Sequence, residues 1–219
     1  MGKKATAGTR SSETCHTGTH ITRPIWWDML QLRELLYSDL ERQYALEGKA
    51  DVPLTFFNFI CRLLHPRFLP IVLCRTSRSA MLRGFPVLPN LLTYINIVLF
   101  GMEVTPRCEI GPGVFFPHTS GIVIGARRIG RNATVFQGVT LGAKELDMGF
   151  EPALRPEVGD NVVLGSGCKV LGGIRIGDNV IVGANSVVVD SVEPSGTVVG
   201  IPARRITSFA EITYDGSSS

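Results

Sequence analysis

The C-terminal half of the chain repeats an aliphatic residue at every sixth position, often with glycine directly after it. The register is unbroken through Val158, Leu164, Val170, Ile176 and Val182. This periodicity is typical of a parallel β-helix, in which each aliphatic side chain points inward and stacks on its equivalents in neighbouring coils. Three hexads form one coil with three flat faces. Glycine and asparagine suit the bends between faces because they tolerate positive φ.

The same spacing occurs earlier in the chain, so we expect the β-helix to cover residues 104–206. The step from Leu141 to Val158 is seventeen residues, which interrupts the repeat. Residues 143–157 contain charges, two prolines and a glycine, and they are predicted to form a loop extruded from one coil. Inserted loops of repeat proteins often lie on the binding face. The earlier inward positions are Ile110, Phe116 and Ile122 and, after a slip of one residue, Ile129, Val135 and Leu141.

The residues that precede the coil have helical hydrophobic spacing and are predicted to form an all-α region at 25–103. The fold class is therefore α+β, with a helical region that caps one end of the solenoid. The polar segments 1–24 and 207–219 are predicted to be disordered tails. Four helices are expected, over residues 26–48, 54–64, 68–83 and 90–100.

The stretch from Phe85 to Met102 carries no charge and is long enough to raise the question of a membrane span. Prolines and asparagines within it favour a different interpretation. We expect a helix buried against the coil or against a neighbouring subunit, without stable membrane insertion.

The charge and cysteine content exclude several classes of function. A net charge of +3 is too small to indicate nucleic-acid binding. The five cysteines have neither metal-ligand nor disulfide-framework spacing, which indicates a reducing compartment and predicts a cytoplasmic protein. No metal site is predicted.

Two further sequence blocks are distinctive, GVFFPHTSGIVIG at 113–125 and VFQGVTLG at 135–142. They resemble the serine O-acetyltransferase family, which belongs to the hexapeptide-repeat acyltransferases. The ending GIPAR at 200–204 is similar to the closing motif of that superfamily. The resemblance implies a left-handed parallel β-helix and a homotrimer or dimer of trimers with active sites between subunits. It also implies acetyl-coenzyme A as co-substrate, no tightly bound cofactor, and acetylation of L-serine for cysteine synthesis.

Acetyl transfer from a thioester to a hydroxyl requires a base and donors for the tetrahedral oxyanion. The resemblance assigns the base to His118, whose residue type suits proton transfer near neutral pH. It places a carboxylate, here Glu103, fifteen positions earlier, where it is expected to orient the imidazole. Arg155 is expected to hold a substrate carboxylate or phosphate. The positions that match the coenzyme A site of the superfamily are Gly142, Ala143, Ser166, Ala184 and Arg204.

Two departures from the family pattern concern the acceptor. Pro117 replaces an aspartate that helps to bind serine, and Leu154 replaces the arginine of an Arg-His-Pro sequence. Because such polar contacts determine selectivity, an O-acetyltransferase that acts on a sugar or a polysaccharide precursor remains an alternative. A non-catalytic β-helix scaffold is a second alternative. The final residues lack the isoleucine through which the family binds cysteine synthase, so that complex is not expected.

Overall fold

The computed structural model describes residues 25–49, 53, 55–63, 65–147 and 149–206, and it gives only the backbone of residues 25–30. The predicted disordered tails lie outside the described residues. The four expected helices are present, with ends that differ from the predicted ones by a few residues. Proline occurs in the first turn of the last two helices, where no intrahelical donor is lost. The helices are α1 (Ile25–Leu46), α2 (Phe56–Leu63), α3 (Leu69–Leu82) and α4 (Leu88–Phe100).

Helix α4 leads directly into the coil. Gly101 caps the C-terminus of this helix, and its φ of 62° is the left-handed conformation that closes many helices. The first strand begins at the next residue, so Glu103 already belongs to the coil. The chain then winds through short strands, interrupted by a single 3₁₀ turn at Pro152–Leu154. The strands are β1 (Met102–Val104), β2 (Glu109–Ile110), β3 (Ile122–Ile124), β4 (Arg128–Ile129), β5 (Thr134–Val135), β6 (Thr140–Gly142), β7 (Glu157–Val158), β8 (Val163–Leu164), β9 (Lys169–Leu171), β10 (Arg175–Ile176), β11 (Ile181–Val182), β12 (Val187–Val188), β13 (Thr197–Val199) and β14 (Arg204–Ile206).

The strands form three sheets, which are the three faces of a parallel β-helix. Face A has the order β1-β3-β6-β9-β12, face B has β10-β7-β4-β2, and face C has β14-β13-β11-β8-β5. Every strand pair is parallel except β13 with β14. The chain passes from face B to face C and then to face A in each coil, so each face repeats once per turn.

The hexad prediction is confirmed in the coil interior. The five residues that set the register, from Val158 to Val182, are each no more than 2% exposed. The asparagines at the bends behave as expected, since Asn132, Asn161 and Asn179 all have φ between 55° and 58°. Their side-chain amides also form a ladder, because each of the first two donates to the next at 3.2–3.3 Å.

A buried ion pair joins the helical region to the coil. Arg75 of α3 donates to both carboxylate oxygens of Asp39 in α1, at 3.0 and 2.9 Å. The same guanidinium donates to the backbone oxygens of Ile110 and Gly111, while the Asp39 carboxylate accepts from the Val114 amide at 3.0 Å. The first coil is therefore covered and fixed by α1 and α3.

Helix α4 was expected to be buried against the coil or against a neighbouring subunit, and within one chain it is only partly buried. Asn96 is buried, but Leu91, Tyr94 and Val98 are 49%, 64% and 62% exposed. These three residues are spaced at i, i+3 and i+7, so they form one apolar stripe along the helix. Among the described residues, no helix has both the length and the apolar character required to cross a bilayer.

Candidate active site

His118 lies on an enlarged corner between face C and face A. Phe115 is paired with Thr134 in the next coil, whereas Val123 is paired with Thr140. The first pair is separated by nineteen residues and the second by seventeen, so the corner between them contains two additional residues. The equivalent corners of the following two coils are equal in length. The additional residues place His118 on a bulge, where the side chain is exposed.

The corners between faces C and A stack along one edge of the coil, which we call the histidine edge. Ser166 and Ala184 occupy this edge two and three coils beyond His118, and both are accessible. Adjacent coils pair like neighbouring strands of a β-sheet, so they lie about 4.8 Å apart. Four backbone contacts establish the stacking: Gly138 N to Ser120 O, Gly167 N to Gln137 O, Asn185 N to Ser166 O, and Val187 N to Gly200 O.

Arg204 lies at the far end of the histidine edge. It belongs to β14, where it pairs with Val199, directly before the last corner. Its guanidinium is exposed and lies 3.8 Å from the carboxylate of Asp190. The edge therefore extends over four coil spacings, about 19 Å, from His118 to the backbone of Arg204, and the Arg204 guanidinium reaches across the end of face A toward Asp190. Three of the five residues predicted to bind coenzyme A share the edge with the predicted base.

Glu103 is on the outer surface of face A, in register with Val123. Its side chain is exposed, and among the described residues no hydrogen bond joins it to His118. Glu103 lines a cavity of about 480 Å³ that lies between face A and the extruded loop. Gly142, Ala143 and Arg155 line the same cavity.

The predicted site residues thus form two groups, one at each edge of face A. His118, Ser166, Ala184 and Arg204 follow the histidine edge. Gly142, Ala143 and Arg155 lie near the opposite edge, and Glu103 lies between the two groups, in the middle of strand β1 on face A. Strands of face A are three residues long at most, so their length separates the groups by about 10 Å.

Arg155, the predicted substrate-binding cation, is engaged within the extruded loop. Its guanidinium donates to the Asp147 carboxylate at 2.7 and 3.0 Å and to the Asp147 carbonyl at 2.7 Å. Partial desolvation opposes ionisation of Asp147, but hydrogen bonds from Arg155 and from the amides of Gly149 and Glu151 hold the pKa of this carboxyl below its usual range. The Asp147–Arg155 pair stabilises the loop conformation.

A second arginine of the cavity, Arg107, was not predicted from the sequence. It lies in the turn between β1 and β2 and donates to the Gly149 carbonyl at 2.8 Å. The ring of Phe150 is 5.6 Å from the Arg107 guanidinium carbon and 4.8 Å from that of Arg155, so it contacts both cations. Phe150 has a φ of 60°, which is unusual for a residue other than glycine. No sequence pattern pointed to Arg107, because its proximity to the loop arises from coil winding.

Lys169 was also missed by sequence reasoning. It lies on the outer surface of face A, one coil beyond Thr140, and its ammonium group donates to the Gly138 carbonyl. Gly138 forms the corner directly beside the bulge that carries His118. Lys169 therefore fixes the corner on which the histidine bulge rests. The neighbouring Gln137 has a buried side-chain oxygen without a hydrogen-bond partner in the described structure.

Known proteins resemble this chain in sequence and in structure. Residues 155–190 match the family described as bacterial transferase hexapeptide (six repeats). A serine acetyltransferase of Synechococcus elongatus is 41% identical over 145 residues, which are 66% of this chain and 58% of the relative. The chain thus spans about three fifths of the length of this curated relative.

Solved structures extend the likeness into the helical region. The Neisseria gonorrhoeae serine acetyltransferase in complex with serine is 31% identical, with a TM-score of 0.68, and the alignment covers 82% of this chain and 71% of that one. A serine acetyltransferase in complex with CoA is 26% identical, with a TM-score of 0.70, over 83% of this chain and 72% of that one. The fold is that of these enzymes, a helical region followed by a left-handed parallel β-helix.

Proposed function

The chain belongs to the serine acetyltransferase family, and we propose that it transfers the acetyl group of acetyl-coenzyme A to the hydroxyl of L-serine. The observation that carries this proposal is the histidine edge. An exposed histidine, two accessible small residues and a terminal arginine follow one line along the coil. This arrangement suits a long thioester substrate whose reacting end lies at His118.

Coenzyme A binds along the histidine edge in this proposal. Its phosphates contact Arg204, because a guanidinium is the preferred partner of phosphate oxygens. The pantetheine arm passes Ala184 and Ser166, whose small side chains let it approach the backbone of the coil. The other two residues predicted to bind coenzyme A, Gly142 and Ala143, lie at the end of β6 and at the start of the loop, where they line the cavity. A related serine acetyltransferase was solved in complex with CoA, which supports acetyl-coenzyme A as the co-substrate of this chain. No tightly bound cofactor is part of the proposal.

His118 acts as the general base. It removes the proton of the acceptor hydroxyl as the oxygen attacks the thioester carbonyl, and the imidazolium then protonates the departing thiolate when the tetrahedral intermediate collapses. Glu103 stabilises the imidazolium and selects its tautomer. The two side chains form no hydrogen bond in the described structure, and such contacts often tighten only when substrate is bound.

The active unit is proposed to be a homotrimer. The apolar stripe formed by Leu91, Tyr94 and Val98 is largely exposed in a single chain. Contiguous apolar surface of this kind marks an interaction site. A site between chains also explains why the predicted residues of one chain divide into two groups at opposite edges of face A.

The protein is further proposed to act in the cytoplasm, in cysteine synthesis. Each described cysteine is a free thiol, and Cys74, Cys108 and Cys168 are buried. Burial raises the pKa of each of these three thiols to about 12. Free thiols are typical of a reducing compartment. The absence of a cysteine synthase complex stays a prediction, because the residues concerned lie outside the described part of the chain.

A sugar acceptor is a second candidate, since one observation favours it. Pro117 and Leu154 provide no charge at the positions where the family pattern has an aspartate and an arginine. Measuring thiol release from acetyl-coenzyme A with L-serine, hexoses and nucleotide sugars separates the candidates. Saturable turnover with L-serine is the expected result, and turnover confined to a sugar would refute the serine assignment.

A further inference from the structure

We propose that Arg107 and Glu145 form the amino-acid clamp of this enzyme, with Arg107 binding the carboxylate of L-serine and Glu145 its ammonium group. The inference rests on the proposed acetylation of L-serine. It concerns the cavity between face A and the extruded loop. The family pattern has an aspartate and an arginine at the positions that Pro117 and Leu154 occupy in this chain. Glu145 and Arg107 would supply these two charges from other positions.

The charges that line the cavity divide into paired and unpaired groups. Five ionisable side chains line it, and two of them, Asp147 and Arg155, neutralise each other at 2.7 Å. Arg107, Glu103 and Glu145 remain, and no ion pair involves any of them within the described part of the chain. Because Glu103 is assigned to His118, one cation, Arg107, and one carboxylate, Glu145, are left to bind a ligand. An α-amino acid carries the two complementary charges.

Arg107 is better suited than Arg155 to receive a carboxylate. Three hydrogen bonds from Arg155 go to Asp147, so its charge is already compensated. The Arg107 guanidinium makes one hydrogen bond through a single nitrogen, to the neutral carbonyl of Gly149. Its contact with Phe150 holds the guanidinium plane without neutralising it. The remaining N–H groups of this planar fork match the geometry of a carboxylate.

Glu145 contributes the opposite charge from the start of the extruded loop. It is exposed, lines the cavity and makes no side-chain hydrogen bond in the described structure. It follows Gly142 and Ala143, which also line the cavity. A ligand held between Arg107 on the coil and Glu145 on the loop therefore bridges the two walls of the cavity.

The test compares acceptors that lack one charge at a time. L-Serinamide lacks the carboxylate, and 3-hydroxypropanoate lacks the ammonium group. For wild type and for Arg107→Met, kcat/KM is measured with L-serine and with each analogue, at saturating acetyl-coenzyme A. The preference for L-serine over L-serinamide should fall roughly 10- to 100-fold in Arg107→Met, which corresponds to the loss of a charge-assisted hydrogen bond. The preference for L-serine over 3-hydroxypropanoate should be retained.

Further variants separate recognition from loop support. In Glu145→Gln the preference for L-serine over 3-hydroxypropanoate should fall instead. Arg107→Lys should recover part of the preference for L-serine over L-serinamide, because the positive charge remains. Arg175→Met is the matched control, since Arg175 is an exposed arginine on face B. If Arg107 only anchors the loop through Gly149 and Phe150, all acceptors lose activity alike and the preference is unchanged.

The outcomes are distinct for the two proposals. Wild-type turnover of L-serine with an unchanged preference in Arg107→Met would overturn this inference and leave the proposed function standing. Neither binding nor turnover of L-serine by the wild type would overturn both.

Discussion

At the scale of residues, the proposed chemistry depends on the exposed side chain of His118, which lies on a bulge two residues longer than the corner of the next coil. Inward positions such as Val170 follow from the six-residue repeat, because each one stacks on its neighbours in the same way. The bulge under His118 could not be predicted, since it is a difference of two residues between strand pairs that only the register reveals. The pairing of Arg155 with Asp147 was missed for a similar reason, as an irregular loop has no period from which contacts can be read.

Replacing the proposed base tests the chemistry at one side chain. His118→Ala should lower kcat by about 10²- to 10⁴-fold, the usual contribution of a general base, without changing thermal stability. His118 is exposed, so its truncation leaves no cavity. The measurement is thiol release with L-serine at saturation, together with a thermal unfolding curve.

The control for this prediction is His65→Ala, because His65 lies in the turn before α3, in the helical region. This variant should retain wild-type kcat. Equal activity of His118→Ala and wild type would remove His118 from the mechanism.

At the scale of elements, the ends of the helices were predicted to within a few residues, but the contacts that attach the helices to the coil were not predicted. Hydrophobic spacing marks each helix, whereas the contact of Asp39 with Arg75 joins residues thirty-six positions apart in sequence. The same limit applies to α4. Its lack of charge predicted burial, and the structure of one chain buries Asn96 and leaves much of its apolar surface exposed.

Removing one partner of the buried ion pair should destabilise the junction of helices and coil. Asp39→Ala leaves the Arg75 guanidinium, only 4% exposed, without its counter-charge. The expected loss is about 3–5 kcal/mol in the free energy of unfolding. Urea denaturation measures it, and Asp39→Asn serves as the variant that keeps the side-chain volume. A loss below about 1 kcal/mol would show that the pair does not hold α3 on the coil.

Glu47 at the end of α1 should contribute acid-sensitive stability. Desolvation opposes its ionisation, but hydrogen bonds from Gln43, Arg62 and Lys49 lower the pKa of Glu47 to about 2. A lowered folded-state pKa gives stability that is complete above the unfolded value near 4.5 and is lost as the pH falls toward 2. Glu47→Gln should therefore be less stable than wild type by about 1 kcal/mol at pH 7, since the cluster borders solvent.

The difference between wild type and Glu47→Gln should disappear near pH 2. Chemical denaturation between pH 2 and pH 7 measures it. Glu41→Gln is the control, because Glu41 is an exposed carboxylate on α1 with no ion pair in the described structure. A difference in stability that does not depend on pH would mean that the hydrogen bonds, and not the charge of Glu47, stabilise the end of α1.

At the scale of the whole molecule, the division of the site across face A and the apolar stripe on α4 both point to an assembly. One chain exposes Leu91, Tyr94 and Val98 together, which is costly in water. The sequence resemblance implied a homotrimer or a dimer of trimers, and the structure adds which apolar surface of the helical region is exposed in one chain. The handedness of the coil came from the family and the solved relatives, because a six-residue period is the same in either hand.

A charge placed in the stripe should disrupt the assembly. Leu91→Glu is expected to convert a trimer into monomers, since an unpaired carboxylate cannot be buried at an apolar contact. Light scattering coupled to gel filtration measures the mass. Leu146→Glu, at a position 91% exposed on the extruded loop, should remain trimeric. A trimeric Leu91→Glu protein would show that the stripe is not the contact surface.

The central claim is that His118 directs the acetyl group of acetyl-coenzyme A to the hydroxyl of L-serine. The most direct measurement follows a ¹³C-labelled acetyl group by NMR in reactions of the wild type and of His118→Ala. The wild type should form O-acetyl-L-serine in proportion to the thiol released, and His118→Ala should form almost none. Thiol release without acetylated serine, or equal product from both proteins, would contradict the account.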